Sequence, residues 1–591
     1  MVRSWSLKST EKIIDGHRAR RVLLGLTMVQ ASLYGMLAWL SNQFVYGSHY
    51  QQRPILLVVG LLAGCFLIYC FSLSIACRIP SHTGLAVRII LAAAAFRGIL
   101  LPSVPIQEID IYRYIWDGAV ASQGLSPYRF SPAEVQAAAI TPKSSGASVD
   151  EELKRLIRLC HEDAAIAESL RRIHYPELTT VYPPVSQAVF ALAYYLVPSG
   201  VALSSRVLAM KVVLVFFDFA TIFLLWFLLR MTNRHVGWLI GYAWCPLVLK
   251  EFANSGHLDS IAVCFTTATL LCVTRLYRPS SERCLFWVVM AGVLWGLSVG
   301  AKLYPVVLLP LLVLVMFRQV GGKALLFTGI ALACGLLCLA PWFIFRVRSG
   351  YPGPTAVDGP LGPLDRSLPT PASQPSLAGR VQRRSGLAAF VTQWEMNDFL
   401  FLIVIENLRP ADSPRQSPRP WFVVTPNRWR KAVVQQASRW GLIEESKAPF
   451  LLARTATLAL FLLVVILLLG NLWHNRGPES FLEAAFLTVA WFWLLSPTQN
   501  PWYWTWALPV VPFARSRAWL AVSGLVFIYY VRFWLGYHFP SPGVAGTAYD
   551  GRTFFDLVIT WFEFGPWLIW LIATALLRHK TANASFSDHP G

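Results

Sequence analysis

LAVRIILAAAAFRGILLPSVPIQEIDIYRYIWDGAVASQGLSPY, Leu85 to Tyr128, holds both halves of the problem in one stretch. Leu85 to Leu101 is apolar and about long enough to cross a bilayer as a helix. Directly after it, Asp110, Arg113 and Asp117 fall within eight residues. If that segment is helical, the three lie at i, i+3 and i+7 on one face, while Tyr112 and Trp116 lie on another. A membrane crossing that delivers an acid, a base and an acid to its boundary suits a polar reaction on a lipid-linked substrate.

The rest of the chain repeats the apolar half. Of its 591 residues 55% are hydrophobic and 14% charged, and the mean hydropathy is +0.50. A soluble chain would be about a quarter charged. The expected fold is an all-α polytopic membrane protein with about 12–14 transmembrane helices and two long extracytoplasmic loops carrying short helices. Nine of the ten cysteines fall in or beside apolar segments, Cys160 alone in a polar loop, and no C-x-x-C pair exists. Neither zinc nor disulfide chemistry is indicated. The first apolar run, Val22 to Leu40, is too long for a cleavable signal core and reads as the first span.

Hydropathy gives candidate spans at 22–40, 54–77, 85–101, 207–229, 236–253, 258–274, 284–300, 303–317, 325–345, 450–472, 480–496, 502–514, 518–537 and 558–577. If they alternate, basic clusters such as Arg18/Arg20/Arg21, Arg230/Arg234, Arg515/Arg517 and Arg578/Lys580 share one side. The positive-inside rule makes that side, and both termini, cytoplasmic. The chain then divides into 1–84 (tail and two spans), 85–345 (core spans with a first outer loop, 102–206), 346–449 (a long basic outer loop with Arg380, Arg383, Arg384, Arg428, Arg430 and Lys431), 450–577 (C-terminal spans) and 578–591 (cytoplasmic tail). The stretch 351–376, rich in Pro and Gly, reads as irregular. Val185 to Val197 is too short to span and reads as an interfacial or re-entrant helix.

On this topology several polar motifs gather outside: Asp110, Arg113 and Asp117; Tyr182-Pro183-Pro184; Asn254 to Asp259, preceded by Lys250-Glu251; Lys302; Trp394 to Asp398; and Pro497 to Trp504. Each has a bland reading, because Pro hairpins and interfacial Trp and Tyr are common between spans. Lys302 is sharper. A cation between two apolar stretches costs about 2.5–3.5 kcal/mol unless paired or hydrated, so a lipid phosphate or snorkelling to the interface is expected. His257 with Asp259 is either an acid–base pair or a satisfied histidine beside a helix N-cap. Lys211 and Asp218, seven apart in one span, read as structural, paired with one another or across helices.

In this order, D-I-Y-R-Y-I-W-D-G with G-L-S-P-Y, Y-P-P (182–184), W-C-P-L-V-L-K-E to G-H-L-D (244–259), G-A-K-L-Y-P (300–305), W-E-M-N-D (394–398) and N-P-W-Y-W (500–504) resemble polyprenol-phosphate-sugar-dependent glycosyltransferases of the C superfamily, particularly bacterial mannosyltransferase-like members. The resemblance runs from about residue 85 to 510. It implies an enzyme of the cell membrane, with an extracytoplasmic active site, that moves a hexose, mannose foremost, from a polyprenyl-phosphate donor to an envelope glycolipid, glycan or protein acceptor, with no nucleic acid involved. Family members use an acidic residue of the first outer loop as general base, and Asp110 is the matching position. Two departures leave Asp117 and Glu108 open for that role: Ile109 precedes the Asp where an acidic or small polar residue is usual, and Ala119 stands where a basic residue is usual.

Inverting transfer needs a base for the acceptor hydroxyl and cations for the leaving phosphate. The resemblance assigns the first to Asp110 and the second to Arg113 and Lys302. Tyr182, His257 and Asp259 are expected on sugar hydroxyls, and Trp502 and Tyr503 at the lipid entrance or stacked on a sugar. No cofactor is assigned, since Arg and Lys can neutralise the leaving phosphate, and a divalent metal bound by Asp110, Asp117 and Asp259 stays open. The competing classes are a transporter or lipid flippase, which would show inverted repeats and charges along a membrane path, and a lipid-phosphate hydrolase, which would bring a nucleophile signature. The sequence shows neither, and no P-loop.

Overall fold

The computed structural model describes residues 16–140, 150–278, 284–348, 386, 390, 394–413, 419–439 and 445–587. Among them there is no β-strand; the chain is helical, with one isolated bridge between Met396 and Thr498. The protein is an all-α, multi-pass membrane protein. Nine helices among the described residues are long and apolar enough to span: His17–Phe44, Tyr50–Ala76, Thr83–Leu100, Leu203–Met231, Cys284–Ala301, Lys323–Ile344, Ala448–His474, Ala518–His538 and Gly551–Leu577. In Ile55–Ala76, Leu62, Cys65, Tyr69 and Leu73 face inward while Leu56, Leu57, Leu67 and Phe71 are exposed. A helix apolar on both sides is what a lipid environment demands.

The other five crossings expected from hydropathy are shorter, broken or less apolar. Tyr304–Val320 is a shorter apolar helix, Asp259–Arg275 has 17 residues, and Pro478–Leu495 carries Glu479 and Glu483. The segment 236–254 is broken at Cys245-Pro246 and ends in a π-helical turn, Leu249–Asn254. The segment 501–513 is broken into a short helix and a 3-10 stretch holding Pro509 and Pro512. Proline removes the backbone donor that a continuous helix needs. Broken helix is tolerated at membrane depth where protein encloses it, and residues 239–264 are buried throughout.

Three charged groups inside the spans, Arg97, Lys211 and Asp218, are paired across helices. The Arg97 guanidinium donates to both carboxylate oxygens of Asp218 at 2.6 and 3.0 Å, and Tyr242 donates to the same carboxylate at 2.8 Å. Lys211 instead donates to the carbonyls of Leu100 and Ser103. Lys211 and Asp218 are therefore partners across helices and not of each other, each fixing the Thr83–Leu100 helix against Leu203–Met231.

The loop 102–206, expected on the outer side, is a small helical unit. Asp110–Ser122 lies against Pro184–Tyr195, the short helix expected at 185–197. Gly118 permits the approach: a Cβ there would stand 2.5 Å from the Phe190 carbonyl oxygen. Tyr114 stacks on Phe190 with ring centroids 4.7 Å apart. Asp163 caps the helix Ala164–Arg171 and also pairs with Arg206, tying the unit to the Leu203–Met231 span. In the loop 346–449, the second one expected on the outer side, 351–376 and Arg380, Arg383 and Arg384 lie outside the described residues. Its described helices are Leu400–Leu408, packed on Ala448–His474 through Phe401 and Phe450, and Asn427–Arg439.

Candidate functional site

A cavity of about 550 Å³ collects residues from the ends of many of these helices: Arg53, Asp110, Lys302, Trp394, Tyr503 and Tyr537 all line it. Residues at these positions meet only if the segment ends near 53, 110, 302, 503 and 537 share one end of the bundle. That is the grouping expected of the polar motifs.

Three backbone devices hold the wall. Asn254 accepts the Ile106 N–H and donates to Ser103 and the Val104 carbonyl, so the loop leaving the Thr83–Leu100 helix is stitched to the π-helical turn. Gly256 has φ +73°, and a Cβ there would come within 2.9 Å of Ile111, so glycine turns the chain and delivers His257 inward. The strands of sequence around Met396 and Gln499 exchange backbone bonds, Met396 N to Pro497 O and Gln499 N to Met396 O. Asn397 adds donations to the Gln499 carbonyl and Glu563. Trp394 to Asp398 and Pro497 to Trp504 therefore form one framework.

At the centre, the Glu108 carboxylate accepts the N–H groups of Ile109 and Asp110, both at 2.8 Å. It caps the first turn of the Asp110–Ser122 helix from outside, which is where a carboxylate stabilises a helix start. Its other oxygen lies 3.3 Å from His257 Nε2, and that nitrogen lies 3.2 Å from Glu251. Glu251 in turn accepts the Tyr530 hydroxyl at 2.6 Å and pairs with Lys250 at 3.3 Å. Trp502 stacks on His257 with centroids 4.3 Å apart. His257 is thus bracketed by two carboxylates and does not pair with Asp259, as one of the two expected readings had it.

Asp259 pairs with Lys302, whose Nζ donates to Asp259 Oδ1 at 2.6 Å; Trp506 Nε1 donates to the same oxygen at 2.5 Å. Lys302 also lies 4.4 Å from the centre of the Tyr503 ring, and Tyr503 stacks on Trp506. Arg113 pairs with Asp117 at 3.3 Å and donates to the Leu178 carbonyl at 2.8 Å. Asp117 is buried, accepts from Gln187 at 3.1 Å, and is not part of the cavity wall.

The electrostatics separate the acids. Burial pushes the Asp110 carboxyl up to about 7, the Glu108 charge adds to the push, and His257, Lys302 and a hydrogen bond from Tyr182 offset part of it. Burial acts the same way on Glu108, but the charge of His257 beside it, with the Asp110 N–H, outweighs it and holds that carboxyl down at about 2. For His257, burial opposes the charged form and the two carboxylates overcome it, raising the imidazole to about 10. Burial raises Asp117 too, with Arg113 countering part. The arrangement is one fixed ion cluster, Glu108–His257–Glu251, beside one carboxyl poised near neutrality.

The structure thus brings Asp110, Arg113, Tyr182, Asp259, Lys302, Trp502 and Tyr503 to one cavity, with His257 directly behind its wall and Asp117 turned away. The acids weighed as metal ligands do not fit one ion. Asp117 is held by Arg113 and Gln187, Asp259 by Lys302 and Trp506, and no group of three His, Cys, Asp or Glu side chains among the described residues could hold a metal. Sequence reasoning passed over Lys250, Glu251, Trp506, Arg53 and Arg454 as site residues. Lys250-Glu251 within an apolar run was the available signal, because buried charges require partners.

Comparison with protein-family models, curated proteins and solved structures finds no match for this chain.

Proposed function

We propose that this is an integral-membrane glycosyltransferase that moves a hexose from a polyprenyl-phosphate donor to an acceptor hydroxyl, by inverting displacement, on the extracytoplasmic face of the cell membrane. One observation carries the reading. The cavity that holds Asp110 is also walled by Arg454, Thr457, Leu458 and Phe461 of the Ala448–His474 span. These four recur at i, i+3, i+4 and i+7, so they form one stripe running about 10 Å along the helix. A poised carboxyl and a stripe of a membrane span in one cavity suit a substrate with a sugar at one end and a lipid at the other.

In this reading Asp110 removes the acceptor proton as the sugar–phosphate bond breaks. A base titrating near 7 balances availability against strength at neutral pH, and general-base help is worth about 10²–10⁴-fold. Glu108 stays ionised as the helix cap, and its charge helps keep Asp110 basic. Lys302 and Arg113 face the cavity already paired with carboxylates, so they act as parts of balanced dipoles rather than as free charges. Tyr182 and Tyr503 present hydroxyls and ring faces suited to a sugar.

The test is to incubate membranes carrying the full chain with radiolabelled polyprenyl-phosphate mannose and total cell-envelope glycolipids. Label appearing in a lipid- or glycan-linked product, dependent on this chain, supports the proposal. Label crossing sealed vesicles without a new bond would establish the transporter class instead.

A further inference from the structure

Arg53 stands apart from the other cations in the cavity wall that have a described carboxylate partner. Lys302 is paired with Asp259 and Arg113 with Asp117. Among the described residues Arg53 makes only neutral contacts: it donates to the Gln107 side-chain oxygen at 2.8 Å and to Ser48 and the Val45 carbonyl at 3.3 Å. Its guanidinium lies 4.3 Å from the centre of the Tyr50 ring.

The placement adds a second fact. Gln107, which holds Arg53, has φ +52° and immediately precedes Glu108, the cap of the Asp110 helix; it also donates to the Tyr537 hydroxyl at 3.2 Å. Arg53 is therefore built into the loop that positions the proposed base. Around it, Tyr46, Tyr50, Tyr112 and Tyr537 give the cavity a wall of rings with polar tips, Tyr50 and Tyr537 with centroids 5.4 Å apart. The stripe Arg454 to Phe461 reaches the same cavity from another span, Ala448–His474, while Arg53 and Tyr50 stand at the start of the span Tyr50–Ala76. A half-buried guanidinium without a counter-ion among the described residues, set among tyrosines, calls for an anion attached to something ring-shaped and hydroxylated.

We propose that the Arg53 end of the cavity is the acceptor's entrance, and that the acceptor is a saccharide carrying an anionic group, phosphate or carboxylate, which Arg53 pairs with. The word acceptor rests on the transferase reading; the anionic-saccharide site itself does not, and it is tested without turnover.

The measurement is binding to the detergent-purified full chain of three soluble probes: mannose 6-phosphate, glucuronate and uncharged methyl mannoside. The charged sugars should bind more tightly than methyl mannoside, and whichever of the two binds more tightly identifies the anion. Arg53→Gln should weaken charged-sugar binding about tenfold or more, the scale of one charge-assisted contact, and leave methyl mannoside unchanged. Arg53→Lys should retain part of the difference. Farnesyl phosphate, a short prenyl phosphate, should bind the Arg53→Gln variant as it binds the native chain. Equal binding of charged and neutral sugars by the native chain would overturn the site, and that comparison needs no variant to fold. An equal loss of farnesyl phosphate affinity in Arg53→Gln would overturn its assignment to the acceptor and make Arg53 a donor-phosphate residue.

Discussion

Lys302 donates to Asp259 at 2.6 Å, and Asp259 is almost wholly buried. The lysine that looks from sequence like a free cation awaiting a phosphate is one half of an ion pair, which changes what its removal does.

Lys302→Met should therefore cost stability as well as substrate binding. It strips a buried carboxylate of its cation, and breaking one side of such a pair costs about 3–5 kcal/mol. Trp506, the other donor to Asp259, cannot replace the charge. The double variant Lys302→Met/Asp259→Asn should recover much of the lost Tm. Thermal unfolding in detergent of the native chain, both single variants and the double variant checks this. Purely additive losses would mean the pair is not coupled.

His257 gives a second cycle. Its imidazolium sits between Glu108 and Glu251, so His257→Gln leaves two buried carboxylates without the charge between them. Tm should fall, and adding Glu108→Gln should restore part of it, with a coupling of about 0.5–3 kcal/mol. Recovery is expected to be incomplete, because the neutral amide of the second substitution caps the Asp110 helix less well than a carboxylate.

The pH dependence follows from Asp110. Its folded value of about 7 lies above the ordinary 3.8, so the folded protein holds this proton more tightly than the unfolded chain does. Ionisation therefore lowers stability progressively from about pH 4 to about pH 7 and no further above it. Asp110→Asn removes that penalty, and its Tm gain over the native chain should be larger at pH 8 than at pH 5. Transfer should run the opposite way in the native chain, rising with pH through about 7 as the base ionises. A Tm difference independent of pH would show that Asp110 titrates at an ordinary value.

Orientation is checked by accessibility. In a background lacking reactive cysteines, Ser199→Cys and Ser541→Cys, both exposed at the cavity end of the bundle, should react with a membrane-impermeant thiol reagent in intact cells. Asn475→Cys, exposed in the turn after Ala448–His474, should react only after lysis. Labelling of Asn475→Cys in intact cells with protection of the other two would reverse the topology.

The fold was legible in the sequence because hydropathy is additive along a helix. Nine of the expected crossings appear as full-length apolar helices. The broken ones, 236–254 and 501–513, read as ordinary spans because a mean hydropathy does not register where Pro246, Pro509 or Pro512 interrupts the backbone. Asp110 was legible as a pole of the site because acid, base and aromatics recur there at helical spacing. The partnerships were not. That Arg113 turns to Asp117, Lys302 to Asp259 and His257 to Glu108 and Glu251 depends on contacts over as many as 149 residues of sequence, 257 − 108. Only Arg113–Asp117, at i, i+4 on one helix, is a pairing that local spacing could encode. Lys250 and Glu251 stood in the motif before Asn254 as charges out of place in an apolar run, a signal that partners exist without saying which.

Asp110 as the base of a sugar transfer is tested by comparing the native chain and Asp110→Asn with radiolabelled polyprenyl-phosphate mannose. Donor binding and product formation are followed side by side in nanodiscs. The change to amide keeps size and hydrogen bonding and removes the base, so product formation should fall by about 10²–10⁴-fold while donor affinity stays nearly unchanged. Unchanged product formation would remove Asp110 from the chemistry, and a loss of binding equal to the loss of turnover would make it a structural residue of the cavity wall.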